Sequence, residues 1–166
     1  MFSYLRVQGL DESRYVGIDL SSTMIAKAKS RLQYEKSKLK RINTGKKEKD
    51  PTFIQGNFLS NYRCQPPTKY SVVLLNAVFQ FFAENQWNQV LEQARSLMAN
   101  VGSRVVISHV NGADFVKLEK AKNSATCLSI MPTIEELNQL CDAQKFRLLF
   151  SADNLDDFYL VVLEAI

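Results

Sequence analysis

The sequence predicts an α/β fold: a mainly parallel sheet with helices on both faces and a C-terminal antiparallel hairpin. Three stretches carry that prediction. Tyr15–Leu32 (YVGIDLSSTMIAKAKSRL) is a short apolar run that ends on a carboxylate and turns at once into a helical repeat. Tyr70–Leu75 (YSVVLL) is a continuous β-branched and aliphatic run, the pattern of a strand covered on both faces. The final apolar runs, Phe146–Ser151 and Phe158–Leu163, are close enough along the chain to pair antiparallel at one edge.

Taken in order, Met1–Gly9 reads as one or two helical turns with Phe2, Leu5 and Val7 inward, stopped near Gly9. The polar turn Asp11-Glu12-Ser13 leads into the strand Tyr15–Ile18, which ends on Asp19. Ser21 or Ser22 supplies a capping hydroxyl. Met24, Ile25, Ala28 and Leu32 then recur at three- and four-residue steps, with Lys27, Lys29 and Arg31 between them. A basic loop containing Gly45 and Pro51 precedes a short strand, Thr52–Gln55, which ends at Gly56-Asn57-Phe58. Pro66-Pro67 marks a stiff connection before Tyr70–Leu75.

That strand gives way to Asn76 and the apolar cluster Val78, Phe79, Phe81 and Phe82. Asn85–Met98 has Trp87, Val90, Leu91, Ala94, Leu97 and Met98 on one helical face, and Gly102 stops it. Arg104–Ser108 is the next strand, ending at His109, and Asn111–Lys122 is a short helix. Pro132-Thr133 opens a helix running through Cys141, with Thr133 and Glu136 at capping-box spacing. The acidic turn Asp153–Asp157 joins the last two strands. No repeat, low-complexity tract or linker interrupts the chain, so residues 1–166 are expected to form a single domain.

Composition narrows the function. Hydrophobic content of 46% and charged content of 23% belong to a soluble globular class. No apolar run approaches the roughly 20 residues of a membrane span, and no signal-peptide pattern opens the chain. Cys64, Cys127 and Cys141 are odd in number and far apart, so they read as reduced thiols of an intracellular, cytoplasmic protein, with no metal site. The single histidine, His109, excludes any site that needs two. The net charge of +4 concentrates in Lys36, Lys38, Lys40, Arg41, Lys46, Lys47 and Lys49. Such a cluster is the electrostatic footprint of nucleic-acid binding, but Tyr34 is its only aromatic neighbour and no nucleic-acid motif accompanies it. A solvated helix end and loop is the better reading.

Several predicted strands end on polar or small residues: Asp19, Gly56-Asn57, Asn76 and His109. In an open parallel sheet, ligands bind in the crevice at those ends. A carboxylate there is acceptor-only and has room for both hydroxyl hydrogens of a ribose. The bland alternative is that Asp19 simply opens a helix, where negative charge suits the dipole.

Five segments in order, GIDLSSTMIAKAKSRL, FIQGNF, YSVVLLNAVFQFF, the helix before VGSRVVISHV, and MPTIEELNQL with FRLL and FYLVVLEAI, resemble the Rossmann-like (class I) S-adenosylmethionine-dependent methyltransferases. The resemblance runs over nearly the whole chain. It implies S-adenosylmethionine as cofactor, with S-adenosylhomocysteine as product. It assigns the ribose to Asp19 and the neighbourhood of the adenine to Leu20 and Met24. Asn57 and Phe58 fall where the family often has an aspartate and an apolar residue at the adenine edge; the asparagine oxygen can still accept from an exocyclic amine. Asn76 falls beside the methionine moiety and the methyl group, with Phe79, Phe81 and Phe82 lining the wall towards the acceptor. His109 falls where some members place an acceptor-side residue. Plain core packing is the competing reading for at least two of the phenylalanines, and a hydrogen-bonded structural role is the competing reading for the lone histidine.

The departure lies at the front. The family opens with a strand and a glycine-rich turn, whereas MFSYLRVQG resembles the tail of the helix that follows them. The expectation is an N-terminally truncated fold lacking that strand and turn. In the family's sheet the strand is central, so its loss exposes two ladders of backbone groups, an invitation to homodimerise. It also removes backbone hydrogen bonds to the cofactor; at about 1 kcal/mol each, losing three weakens binding on the order of a hundredfold.

The leading expectation is therefore a methyltransferase, active or truncated, acting on a small-molecule acceptor. The alternative is a catalytically inactive methyltransferase-like domain that serves binding or interaction. A nicotinamide-binding protein ranks last, because that fold needs a G-x-G-x-x-G fingerprint which this sequence lacks.

Overall fold

A computed structural model describes residues 15–39, 51–59, 69–155 and 158–166. They group into two compact units, 1–62 and 63–166, each taken by itself below. The expected N-terminal helical turns, most of the basic loop, Cys64 and Pro66-Pro67 lie outside the described residues.

The first unit is a strand–helix–strand crossover: β1 (Val16–Asp19), α1 (Ser22–Leu39) and β2 (Thr52–Gln55). The strands pair in parallel, with Val16 opposite Thr52 and Asp19 opposite Gln55. Parallel neighbours cannot be joined by a tight turn, so the intervening helix is the connection that this pairing demands. Ile25 and Leu32, seven residues apart, share one helical face and are buried. The helix runs past Leu32 because Gln33–Leu39 contains neither glycine nor proline. Gly17 lets the Phe53 ring close on β1: a β-carbon there would stand 3.0 Å from the ring edge.

The second unit is a four-stranded sheet of β3 (Val72–Asn76), β4 (Arg104–His109), β5 (Phe146–Leu155) and β6 (Phe158–Ala165), in the order β3-β4-β6-β5. β3 and β4 are parallel, while β6 runs antiparallel to both its neighbours. The last strand is thus inserted between β4 and β5, and β5 forms the edge. The hairpin is as the sequence predicts, though β5 extends to Leu155 through irregularities near Phe150 and Leu155.

Alternation along β6 is regular, with every second residue from Tyr159 buried. Val105, Ile107, Val161 and Leu163 share that face and have no exposed area. Val90, Leu91 and Ala94 of α2 (Trp87–Ser96) and Leu137 of α4 (Ile134–Gln144) complete the core. Each large aliphatic side chain so buried contributes about 1.5–3 kcal/mol. Phe79 closes one end against Trp87, ring centroids 5.6 Å apart.

Three differences from the sequence reading have local causes. Tyr70 is outside β3, because it exchanges backbone hydrogen bonds with Leu97 and Ala99 after α2. The helix expected from Asn85 starts at Trp87, after a 3-10 turn (Glu84–Gln86) in which the Gln86 side chain accepts from the Ala83 N–H. Finally, β3 is covered on one face only: Val73 and Leu75 are buried, while Val72 and Leu74 are 54% and 40% exposed. Elsewhere the signals hold. Gly102 takes a positive φ of 84° at its turn, and Thr133 with Glu136 forms the reciprocal capping box of α4. α3 (Gly112–Lys122) begins just after Asn111. No helix among the described residues is long and apolar enough to cross a membrane.

Candidate functional site

In the first unit, Asp19 is the last residue of β1 and its backbone carbonyl accepts from Gly56 N–H at the end of β2. One carboxylate oxygen accepts the Ser21 N–H at 2.7 Å. Ser21, not Ser22, is the cap: its hydroxyl accepts from Met24 N–H at 3.3 Å, and its carbonyl receives the first helical bond from Ile25. Thus the residues that start the helix also fix the carboxylate. The other oxygen of Asp19 has no partner among the described residues. Leu20, next in sequence, and Met24, in the first turn of α1, are 67% and 50% exposed. At the end of the adjacent strand, Asn57 Oδ1 accepts from Leu59 N–H at 2.9 Å, and Asn57 and Phe58 are half-buried. Five predicted residues, Asp19, Leu20, Met24, Asn57 and Phe58, therefore belong to the carboxyl ends of two adjacent parallel strands.

In the second unit, Asn76 ends β3 opposite Ser108, whose hydroxyl donates to Asn76 Oδ1 at 3.0 Å. The chain then turns sharply: Ala77 takes a left-handed φ of 52° while its N–H donates to Ser108 O at 2.7 Å. A non-glycine residue held there costs of order 1 kcal/mol or more, and the β4 hydrogen bond holds it in place. Beyond it, the three phenylalanines differ. Phe79 is fully buried core, Phe82 is half-buried, and Phe81 is 50% exposed. Of these, Phe81 presents the most ring surface to a ligand.

His109, the last residue of β4, is 5% exposed and its ring stacks on Phe115 with centroids 5.7 Å apart. Its Nδ1 accepts the Asn111 N–H at 3.3 Å, which places the imidazole proton on Nε2. Burial pushes its pKa below the ordinary histidine value, so the ring is neutral at physiological pH. A neutral imidazole with Nδ1 occupied presents a donor, not a base.

The sequence pattern alone does not single out Gln80, Ser108 or Phe115. Gln80 is the only polar residue in VFQFF, and that interruption was its signal. Ser108 could be found only from the pairing register. Gln80 is 7% exposed, its Nε2 donates to Ala77 O at 3.2 Å, and its Oε1 is buried without a hydrogen-bond partner among the described residues. Among the described residues no three His, Cys, Asp or Glu side chains come together as a metal site.

No protein-family model matches the chain, and no curated protein matches it in sequence. Solved structures do. Magnesium protoporphyrin IX methyltransferase (ChlM) from Synechocystis PCC 6803, with bound SAH, is similar at a TM-score of 0.57 and 12% identity, over 91% of this chain and 63% of that one. A SAM-dependent methyltransferase from Methanosarcina mazei gives 0.62 and 11%, over 91% and 81%. The pyocyanin biosynthetic protein PhzM gives 0.58 and 17%, over 99% and 46%. The chain thus spans less than two thirds of the length of ChlM and about half that of PhzM. At such identities the likeness is one of fold.

Proposed function

From a chain with the class I S-adenosylmethionine-dependent methyltransferase fold, we propose a methyl-transfer function with S-adenosylmethionine as cofactor and a small molecule as acceptor. The observation that carries the reading is the Asp19 carboxylate at the end of β1, with one oxygen fixed by Ser21 N–H, the other without a partner among the described residues, and Leu20 and Met24 exposed nearby in the chain. That arrangement suits a ribose diol: the free oxygen accepts from hydroxyls, and the apolar pair covers the flat face of the attached base. Asn57 and Phe58 take the edge of the adenine in this proposal, with the asparagine oxygen able to accept a second hydrogen bond beside that of Leu59.

When bound, the cofactor would supply an electrophilic methyl group on a sulfonium, for transfer to an acceptor lone pair with the carbon–sulfur electron pair going to sulfur. Such a displacement needs positioning above all, so no triad is required of the chain. The contribution of the first unit is to hold the nucleoside. In the second unit His109 is neutral with its proton on Nε2, so the ring offers a donor and no free lone pair to take up a proton. A small-molecule acceptor agrees with the names of the ChlM and PhzM neighbours.

Nitrogen-15 NMR with S-adenosylhomocysteine tests the reading. Titration is expected to move the amide resonances of Leu20, Ser21 and Met24 with a common affinity. Shifts confined to the basic helix face of Lys27, Lys29 and Arg31 would instead mark electrostatic association, and the proposal would fall.

A further inference from the structure

Charge is divided unevenly along the chain. Residues 15–59 hold ten Lys and Arg against four Asp and Glu, whereas residues 60–166 hold nine against eleven. Such an asymmetry is the mark of a chain whose basic part meets a polyanion, either a nucleic acid or an anionic membrane.

The helix α1 gives the basic part a face. Lys27, Arg31 and Tyr34 follow one another at steps of four and three residues, so they fall within an arc of about 60° on the helix surface. Lys38 occupies the next position of the same row. The row lies away from Ile25 and Leu32, which are buried. Lys27 and Arg31 are exposed, and Tyr34 is 57% exposed. α1 has one acid, Glu35, against Lys27, Lys29, Arg31, Lys36 and Lys38. Among the described residues neither Lys27 nor Arg31 forms an ion pair, whereas Lys117, Lys120, Lys122 and Arg147 of the second unit each meet a carboxylate. The cations of α1 are therefore available to an outside anion.

The two polyanions make different demands. A helix on a membrane surface has to bury its apolar face in lipid. In α1 that face, Ile25 and Leu32, is already buried, and the helix packs on β1 and β2. A strand of nucleic acid asks only for cations along its backbone and a ring on which a base can stack. Tyr34, in the sequence a lone aromatic beside the basic cluster, stands inside the row of cations. Stacking on it requires an unpaired base, which favours a single strand over a duplex.

Independently of the methyl-transfer reading, we infer that the outward face of α1 binds single-stranded nucleic acid, with phosphates on Lys27 and Arg31 and a base stacked on Tyr34. The basic segment that composition alone reads as solvated thereby gains a partner at its helical end.

Fluorescence anisotropy of the whole chain with a labelled oligouridylate of about twelve nucleotides, repeated over a salt series, tests this. Each phosphate contact to a single strand contributes about 0.7 to the slope of log affinity against log salt. Lys27→Gln with Arg31→Gln is therefore expected to flatten that slope by about 1.4 and to weaken binding roughly tenfold or more at low salt. Lys117→Gln with Lys122→Gln makes the same change of charge on exposed residues of the second unit, and is expected to leave slope and affinity as they are. Tyr34→Leu is expected to weaken binding about fivefold or more at an unchanged slope, and Tyr34→Phe to bind like wild type. Circular dichroism confirms that each variant is folded. An unchanged slope in the α1 double variant, an equal loss in the second-unit double variant, a Tyr34→Leu affinity within twofold of wild type, or no binding at about 20 mM salt would overturn the inference. Equal or tighter binding of an oligoglutamate or an RNA duplex of the same length would do the same. So would equal or tighter binding of phosphatidylserine vesicles, which would assign the face to a membrane.

Discussion

Replacing Asp19 with asparagine changes one oxygen and little else. The oxygen that accepts the Ser21 N–H at 2.7 Å has a counterpart in the asparagine carbonyl, so the turn into α1 survives. The change falls on the other oxygen, the one without a partner among the described residues, which becomes an NH2 group. A hydrogen bond from a ribose hydroxyl to an ionised acceptor is worth about 1.5–3 kcal/mol. Losing one such bond weakens S-adenosylhomocysteine roughly ten- to hundredfold, and the partial exposure of Asp19 favours the lower end. Calorimetric titration of wild type and Asp19→Asn measures it, with circular dichroism confirming that both are folded. Asp19→Ala is expected to lose as much affinity and some stability, since it also removes the acceptor for Ser21. An Asp19→Asn affinity within twofold of wild type would refute the assignment of the ribose to this carboxylate.

Thr133→Ala removes one half of the capping box of α4, in which Thr133 Oγ1 accepts from Glu136 N–H. It is expected to cost about 1 kcal/mol, or roughly 2–4 °C, in thermal unfolding of the whole chain. The depressed pKa of His109 means that the unfolded chain binds its proton first, near pH 6.5. Stability is therefore full above about pH 6.5 and falls as the pH drops below it. Urea titrations of His109→Asn, which keeps an acceptor for Asn111 N–H, are expected to lose that part of the slope; an unchanged slope would exonerate the histidine. Burial, with a smaller contribution from Asp142, pushes the Cys141 thiol up to about 11, and burial also raises Cys127. Both are expected to resist a thiol reagent at pH 8 until urea unfolds the chain, as mass spectrometry of labelled peptides would show.

Much of this fold is written locally. The capping hydroxyl before α1, the Thr133–Glu136 box and the period-two pattern of β6 are short-range signals, and the structure follows them. Asp19 could be singled out because a strand, an acid and a helix adjoin in sequence. What could not be read are relations set by pairing across the chain. The Asn76–Ser108 bond depends on the β3–β4 register, 32 residues apart. The displacement of Tyr70 from β3 depends on Leu97 and Ala99 competing for its backbone. A run such as YSVVLL gives no sign of which face stays open, so the exposure of Val72 and Leu74 is visible only in three dimensions. Likewise Phe79, Phe81 and Phe82 look alike in sequence, and the 3-10 turn at Phe79–Phe81 sorts them into core and surface.

The most direct test of the central claim is a calorimetric titration of the folded chain with S-adenosylhomocysteine, with adenosine alongside. Micromolar binding, clearly tighter than that of adenosine, is the predicted result. A folded sample that gives no heat at millimolar S-adenosylhomocysteine would contradict the claim that this chain holds the cofactor of methyl transfer.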